Sequence, residues 1–388
     1  MRVLLLSAYD ADSHRSWWKG LQSAFDQWDW TILTLPARYF SWRIRGNSLT
    51  WAFQEKAVLE QDYDLLIATS MTDLSALRGF VPSIASIPTL VYFHENQFGY
   101  PNSDSAKVSV EPQILNIYTA LCADRILFNT AFNRDSFLQG VGQLLRRLPD
   151  QIPSGVVDQL KARSSVLPVP IADACYSPVN VTAEDVAAMW QLDAIEYSAT
   201  NTPSNRQYPV KLLWAARWEY DKGPELLLKI LQQLSARGID FKLCLLGQKF
   251  RRSPEAFAHI EQQFASQVVQ FGYEASPARY RQWLSSADMI VSTALHEFQG
   301  LAVLEAMAAG CMPVLPDRLS YPELVNSDFL FDVSSANLAE QASAAVDLIS
   351  ALQTQPKEID VADFSWSKLA PDYLKVFDSL ASTSLPSR

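Results

Sequence analysis

Cysteine is scarce in this chain of 388 residues. Cys122, Cys175, Cys244 and Cys311 are far apart and form no CxxC pair, so the chain reads as reduced and cytoplasmic rather than stapled by disulfides. Long hydrophobic runs are missing too. The apolar start of MRVLLLSAYDADSH is too short for a signal peptide, and no stretch approaches the roughly eighteen continuous apolar residues that a span needs; no membrane span is expected. Positive charge is also in short supply, with 32 Lys and Arg against 42 Asp and Glu and a net charge of −10. That balance argues against a protein that coats nucleic acid through a strongly basic surface.

What is present is apolar and patterned. At 48% hydrophobic residues the chain can bury a large core, and its length suits two domains better than one. Short β-branched runs alternate with helical patterns, the signature of parallel strands joined by helices. RVLLLS, WTILTLP, DLLIATS, PTLVYFH and RILFNT are the strand candidates before Lys161. VKLLWAAR, FKLCLLG, VVQFGY, MIVSTA, CMPVLP and DFLFD follow from Val210, with PELLLKILQQLSARG and ANLAEQASAAVDLISAL as the clearest helices. Between them, Ser177 to Pro209 turns polar and rich in Pro, Asn, Ser and Thr in its second part, which marks a linker or exposed loop. The expectation is an α/β protein with a domain at 1–176, a linker at 177–209 and a second domain with carboxyl-terminal helices at 210–388. A cleft lined by the carboxyl ends of both sets of strands would hold the ligands.

Two motifs in the second half carry chemistry. LLWAARWEYDKGPELL puts Arg217 at a strand end and Lys222 just before a helix starting near Gly223 and Pro224. A guanidinium and an ammonium beside a helix amino-terminus form a diphosphate clamp that neutralises charge building on a leaving phosphate. HEFQGLAVLEAMAAG reads as a strand exit loop holding Glu297 and a helix opening at Gly300, closing at Gly310 and holding Glu305. The Gly300 and Leu301 amides at that helix start suit a phosphate or sugar hydroxyls, and two carboxylates suit a hexose and a ribose. The plainer alternative keeps Glu297 as a helix cap and Glu305 as a surface residue with a paired neighbour; both stand at this point.

Arg217 with Lys222-Gly223, followed by Glu297 and Glu305 with seven residues between them, resembles the R-x4-K-G and E-x7-E signature of the family-4 retaining glycosyltransferases. The resemblance implies the GT-B fold, two Rossmann-like domains with parallel sheets facing across a cleft. It makes Arg217 and Lys222 diphosphate ligands, Glu297 the donor-sugar contact and Glu305 the ribose contact, with Gln299, Gly300 and Leu301 beside them. The family's common ExFG is EFQG here, which puts the further hexose contacts in question. Tyr273, in the loop FGYEASP, is a candidate nucleobase contact. No cofactor and no metal are implied, so Asp10 and Asp12 are expected to be loop or capping residues.

In the first half, SAYDADSHRSWWKG, PARYFSWRIRGNS and VYFHENQFGYP adjoin predicted strands and are expected to form the acceptor wall. With HEFQGLAVLEAM they resemble a narrower group, the tRNA-queuosine mannosyltransferases, in an S-H-x-x-W stretch and an F-H-E-N-Q motif. This implies mannosyl transfer, with retention, from GDP-mannose to queuosine in a tRNA anticodon loop. His94 is assigned to positioning sugar and acceptor, with base catalysis as its other reading. His14 is equally an acceptor contact or a solvated loop histidine, and Glu95 and Asn96 are acceptor-side candidates. Arg38, Arg43 and Arg45 interleave with Tyr39, Phe40 and Trp42; Lys249 with Arg251 and Arg252, and Arg146 with Arg147, make two more basic patches. Trp42, Arg43 and Arg45 are expected on a tRNA surface, against the plain reading of a solvated face. Competing functions are a glycosyltransferase acting on a glycan or lipid-linked acceptor, and a sugar-nucleotide epimerase or nucleotide-binding protein without turnover.

Overall fold

The structure, a computed structural model, describes residues 1–99, 109–148, 150–193, 208–249 and 253–383. The chain divides into two compact units, one of Met1–Pro170 with Phe364–Arg388 and the other of Ile171–Asp363.

The first unit is built on six parallel strands, β1 (Arg2–Asp10), β2 (Asp29–Pro36), β3 (Leu65–Thr69), β4 (Thr89–Phe93), β5 (Arg125–Phe128) and β6 (Ser164–Val166), in the order β2-β1-β3-β4-β5-β6. Every residue of β3 and β4 is buried, as expected of strands covered on both faces, and their unbroken apolar runs are why they were legible. β6, three residues with two serines, carries no such run. Strand order reverses between β1 and β3, and ligands of open α/β sheets bind at the carboxyl ends of strands flanking such a switch.

The last helix, Trp366–Thr383, belongs to this first unit. Trp17 Nε1 donates to the Tyr373 hydroxyl at 3.1 Å, that hydroxyl donates to Pro168 O at 3.0 Å, and Phe377 packs edge-on against Phe25 and Trp28. The expected carboxyl-terminal domain at 210–388 therefore differs from the observed partition, because the buried face of this helix is completed by aromatic residues near the amino terminus.

The second unit holds β7 (Val210–Ala215), β8 (Phe241–Leu246), β9 (Val268–Gly272), β10 (Met289–Val291), β11 (Met312–Pro316) and β12 (Leu330–Phe331), all parallel, in the order β9-β8-β7-β10-β11-β12. This is the doubly wound order, with its switch point between β7 and β10. Part of the expected linker is a folded piece of this unit. Thr182 and Asp185 form a capping box for helix Ala183–Trp190, and buried Trp190 donates to Ser286 Oγ at 2.9 Å and meets Trp283 edge-on. The rest of that linker, 194–207, lies outside the described residues.

Candidate active site

In the second unit the two motifs of the sequence meet at the switch point. After β7 the chain makes a turn at Tyr220–Lys222 and enters helix Pro224–Ala236; after β10 it forms the loop 292–300 and enters helix Leu301–Ala308. The loops are interlocked. Asp221 O accepts from the Leu295 and His296 amides at 2.8 and 3.1 Å, and Thr293 Oγ1 donates to Lys222 O at 2.8 Å while accepting from Trp214 Nε1 at 3.1 Å. Gly223 has φ +63°, and a Cβ there would stand 2.1 Å from Thr293 O; only glycine permits both the backbone conformation and the approach.

Lys222 is buried; its ammonium donates to His296 O at 2.8 Å and Glu297 Oε2 at 3.3 Å and forms an ion pair with Asp221 Oδ2 at 3.3 Å. Burial works against its charge, but the Glu297 and Asp221 carboxylates overcome that and hold its pKa above the usual lysine value. Burial likewise disfavours the charge of Glu297, yet Lys222, His296 and the Gln299 amide hold its carboxyl below the usual range. Asp221 is drawn down to about 2 against burial by His296, whose Nδ1 stands 3.7 Å from Oδ2, and by Lys222 and Arg217. All three groups are charged at neutral pH. The sequence assigned Lys222 and Glu297 to different parts of a ligand; in the fold they hold each other. Arg217 is half-exposed and pairs with Glu219 Oε2 at 2.9 Å.

A pocket opens here, lined among others by Trp214, Lys222, Ser292, Glu297, Gly300 and Tyr321. Gly300, at φ +80°, caps the helix Leu301–Ala308, and a Cβ there would crowd the Tyr321 ring at 3.2 Å. Gln299 is buried and Leu301 half-buried beside it. Glu305 is no surface residue: it is half-buried, accepts from the Tyr280 hydroxyl at 2.9 Å, and has its pKa raised by burial, against which that hydrogen bond works. Tyr273 is 66% exposed beyond the end of β9 and does not line the pocket. Sequence reading passed over Asp221, His296, Tyr321 and Arg318. Arg318 donates to Ala294 O at 3.0 Å and Thr293 O at 3.2 Å, tying down the β10 loop. Asp221 and His296 adjoin the motif residues, which was the available signal; Arg318 follows β11 with none.

In the first unit, strand exits gather a second constellation. His14, on the helix Asp12–Ala24 after β1, stacks on His94 at the end of β4 with ring centroids 4.1 Å apart; Trp17 and Tyr92 close around His94 at 4.8 and 4.7 Å. Burial, and then His14, push the His94 pKa well below the usual histidine value, and burial lowers that of His14 against the pull of Glu95 and Asp10. Both rings are therefore neutral at pH 7. His94 Nε2 and His14 Nδ1 are buried and meet no hydrogen-bond partner among the described residues, which disposes of a solvated loop histidine at position 14. Asp10 accepts from Ser7, Arg15 and Trp18, and Asp12 pairs with Arg15 in the first helical turn; neither is a capping residue, since Ala11 occupies that position.

Three acceptor-side expectations change. Asn96 is fully buried, its amide nitrogen donating to Asn133 and Ser136 and its oxygen accepting from the Phe98 and Gly99 amides, so it shapes the loop and faces no ligand. Glu95 is half-buried. Arg45 is bound by Asp73 at 2.9 Å and Glu111 at 3.0 Å, which removes it from a cationic surface, and Arg43 is buried while Trp42 is 55% exposed. Of these three residues the structure therefore leaves an exposed Trp42 ring beside a buried Arg43. Arg146 and Arg147 are exposed in the last turn of helix Ala131–Arg147; Lys249 lies over the Trp218 ring at 5.9 Å, and Arg251 and Arg252 lie outside the described residues.

Comparison with known proteins agrees with this division. A family model described as tRNA-queuosine alpha-mannosyltransferase N-terminal matches residues 2–171, and one described as glycosyl transferases group 1 matches residues 202–360. The tRNA-queuosine alpha-mannosyltransferase of Drosophila melanogaster is 32% identical over 380 residues, 97% of this chain and 96% of that one. A GDP-mannose:cellobiosyl-diphosphopolyprenol alpha-mannosyltransferase of Xanthomonas oryzae pv. oryzae is 26% identical over 142 residues, 36% of this chain and 37% of that one. In fold, the chain is similar to sucrose-phosphate synthase from Thermosynechococcus elongatus, with a TM-score of 0.70 at 15% identity over 99% of this chain and 100% of the other. Two doubly wound parallel sheets, a group 1 glycosyltransferase domain and a relative matched over nearly its full length lead to one conclusion: the chain is a GT-B glycosyltransferase and belongs to the tRNA-queuosine alpha-mannosyltransferase family.

Proposed function

We propose that this chain transfers a mannosyl group from GDP-mannose to queuosine in tRNA, with retention at the anomeric carbon. The observation that carries the reading is the charged cluster of Lys222 and Glu297 beside the Gly300 helix start, at the switch point of the second sheet. The family supplies the acceptor, and the mannosyltransferases among the relatives support the donor.

In this reading the donor diphosphate takes the Lys222 ammonium and the Arg217 guanidinium, with the Gly300 and Leu301 amides at the positive end of their helix. Glu297 then turns to the hydroxyls of the hexose and Glu305 to the ribose. As the bond between the anomeric carbon and the phosphate oxygen breaks, its electron pair stays on that oxygen, where Lys222 and Arg217 offset the growing charge. An acceptor hydroxyl oxygen bonds to the anomeric carbon from the same face, and its proton passes to the departing phosphate oxygen. No covalent enzyme intermediate is needed. The neutral rings of His94 and His14, with one free nitrogen each, serve hydroxyl groups as hydrogen-bond partners, consistent with positioning rather than proton abstraction. The reading requires no metal ion, and turnover is expected to persist in EDTA.

The test is incubation of purified protein with GDP-mannose and tRNA with or without queuosine, followed by nucleoside mass analysis. A hexosyl gain confined to queuosine is expected. Transfer to a glycan or lipid-linked acceptor instead, or donor turnover with neither acceptor, refutes the reading.

A further inference from the structure

Arg43 lies in the second turn of helix Phe40–Gln54, which follows β2. Its place is set by what lies one turn further on the same face. Asn47 is fully buried, donates to Arg43 O at 2.8 Å and Met71 O at 3.2 Å, and accepts from the Asp73 amide at 3.0 Å, so the helix is locked onto the exit of β3. Arg43 is consequently 9% exposed, and its buried Nε meets no hydrogen-bond partner among the described residues.

Other arginines of this unit, exposed or half-buried, have partners. Arg45 has Asp73 and Glu111, Arg15 has Asp10 and Asp12, Arg78 has Cys122 O and Thr89 Oγ1, and Arg163 has Ala123 O. Burying a cation without a counter-charge is unfavourable, and no packing requirement calls for a guanidinium where a methionine would fill the space. A planar fork of donors left open suits a phosphate.

The immediate surroundings select among phosphates. Tyr39 and Trp42 are 73% and 55% exposed, and Arg38 lies over the Tyr39 ring at 5.7 Å. Trp42 is laid along the helix by the glycine one turn on: a Cβ at Gly46 would stand 2.3 Å from the Trp42 indole. An aromatic ring backed by the helix and open to solvent, next to an unpaired cation, matches a base stacked beside its own backbone phosphate in a single-stranded nucleic acid. A small diphosphate has no use for the rings. With a net charge of −10 the chain exerts no long-range attraction on a polyanion, so such recognition has to rest on short-range contacts.

We propose that Arg43 binds a backbone phosphate of the acceptor RNA, with Trp42 and Tyr39 receiving unstacked bases beside it. This rests on the tRNA acceptor of the proposed function and excludes Arg45 from the same surface. The test measures KM for queuosine-containing tRNA and for GDP-mannose in wild type, Arg43→Met and Arg43→Lys. Equilibrium binding of an anticodon stem-loop lacking queuosine is measured alongside, so that RNA affinity is read without turnover.

In Arg43→Met, RNA affinity is expected to fall about ten- to a hundredfold, with the loss in KM for tRNA rather than in kcat, and the log–log salt dependence to flatten by about 0.7. Arg43→Lys, which keeps charge without the fork, should lose less. Ligand-free Arg43→Met should melt no lower than wild type, because an unpaired buried charge has been removed. Lower melting with RNA affinity intact marks a structural arginine and overturns the proposal. A raised KM for GDP-mannose with RNA affinity intact assigns the anion to the donor and overturns it too. If Arg43→Met does not fold, unchanged stem-loop affinity in Arg43→Gln is the refuting result. Wild-type protein that binds the stem-loop through Arg43 but leaves queuosine unmodified refutes the proposed reaction alone.

Discussion

Replacing Lys222 by alanine should damage stability as well as turnover. The ammonium sits among His296 O, Glu297 Oε2 and Asp221 Oδ2 at 2.8, 3.3 and 3.3 Å, and its loss leaves two carboxylates facing each other in a largely buried site. Breaking a buried pair in this way costs about 3–5 kcal/mol; with a quarter of the Glu297 side chain open to solvent, the lower figure, about 3 kcal/mol, is expected by the same reasoning. Adding Glu297→Gln should restore a good part of it, since a neutral amide needs no cation. The pH dependence has a definite sign. Glu297 and Asp221 have lowered folded pKa values, so their share is present above their ordinary values of 4.5 and 3.8 and is lost as pH falls through the folded ones. Lys222 has a raised folded pKa, so its share is present below 10.5 and is lost only as pH rises above that. The gap between wild type and Lys222→Ala should therefore be flat from about pH 5 to 10 and close in acid. Because a chain of two units need not unfold in one step, the assay is urea-dependent hydrogen exchange read in the segments 210–223 and 289–300. A loss under about 1 kcal/mol, or a gap that persists unchanged at low pH, would refute the ion cluster as the tie between these loops.

Arg217→Ala is the contrasting perturbation: its half-exposed pair with Glu219 adds little to stability, so melting should be unchanged while turnover falls about 10²- to 10³-fold, and near-normal turnover would remove it from the clamp. Glu305→Gln should stabilise the ligand-free protein at neutral pH, because burial raises the folded pKa of Glu305 and its ionised form is disfavoured there; the gain should vanish below pH 4.5, and donor affinity measured by calorimetry should weaken. Gly223→Ala places a methyl group 2.1 Å from Thr293 O at a positive φ, so soluble expression or donor binding should be lost, and a variant with wild-type melting and donor affinity would contradict the interlocked loops.

Among the described residues, eleven of the twelve strands could be read from their apolar runs, most plainly β3 and β4, which are buried at every residue. β6 escaped because Ser164–Val166 takes its place by pairing with β5 rather than by its own composition. The helix Ala183–Trp190 was hidden in a polar stretch, where its capping box was visible but its burial depended on Trp283, far along the chain. At the site, residue spacing brought Arg217, Lys222, Glu297 and Glu305 to notice, while their partnerships stayed illegible: that Lys222 pairs with Glu297 follows from β7 and β10 being neighbours. Charge alone also could not separate Arg43 from Arg45, because spacing by two residues on a helix turns one side chain inward and lets the other reach Asp73 and Glu111.

The closing helix sets an order of events during synthesis. Residues 171–363 form their own unit and can fold as soon as they leave the ribosome, whereas Trp17 and Pro168 wait for Tyr373. At about 5–20 residues per second, the roughly 200 residues in between leave the earlier unit without its last helix for about 10–40 s. Throughout that interval the aromatic surface around Trp17, Phe25 and Trp28 is without its cover, so the half of the chain made first is the half finished last, and a nascent chain halted before Tyr373 is a natural substrate for chaperones.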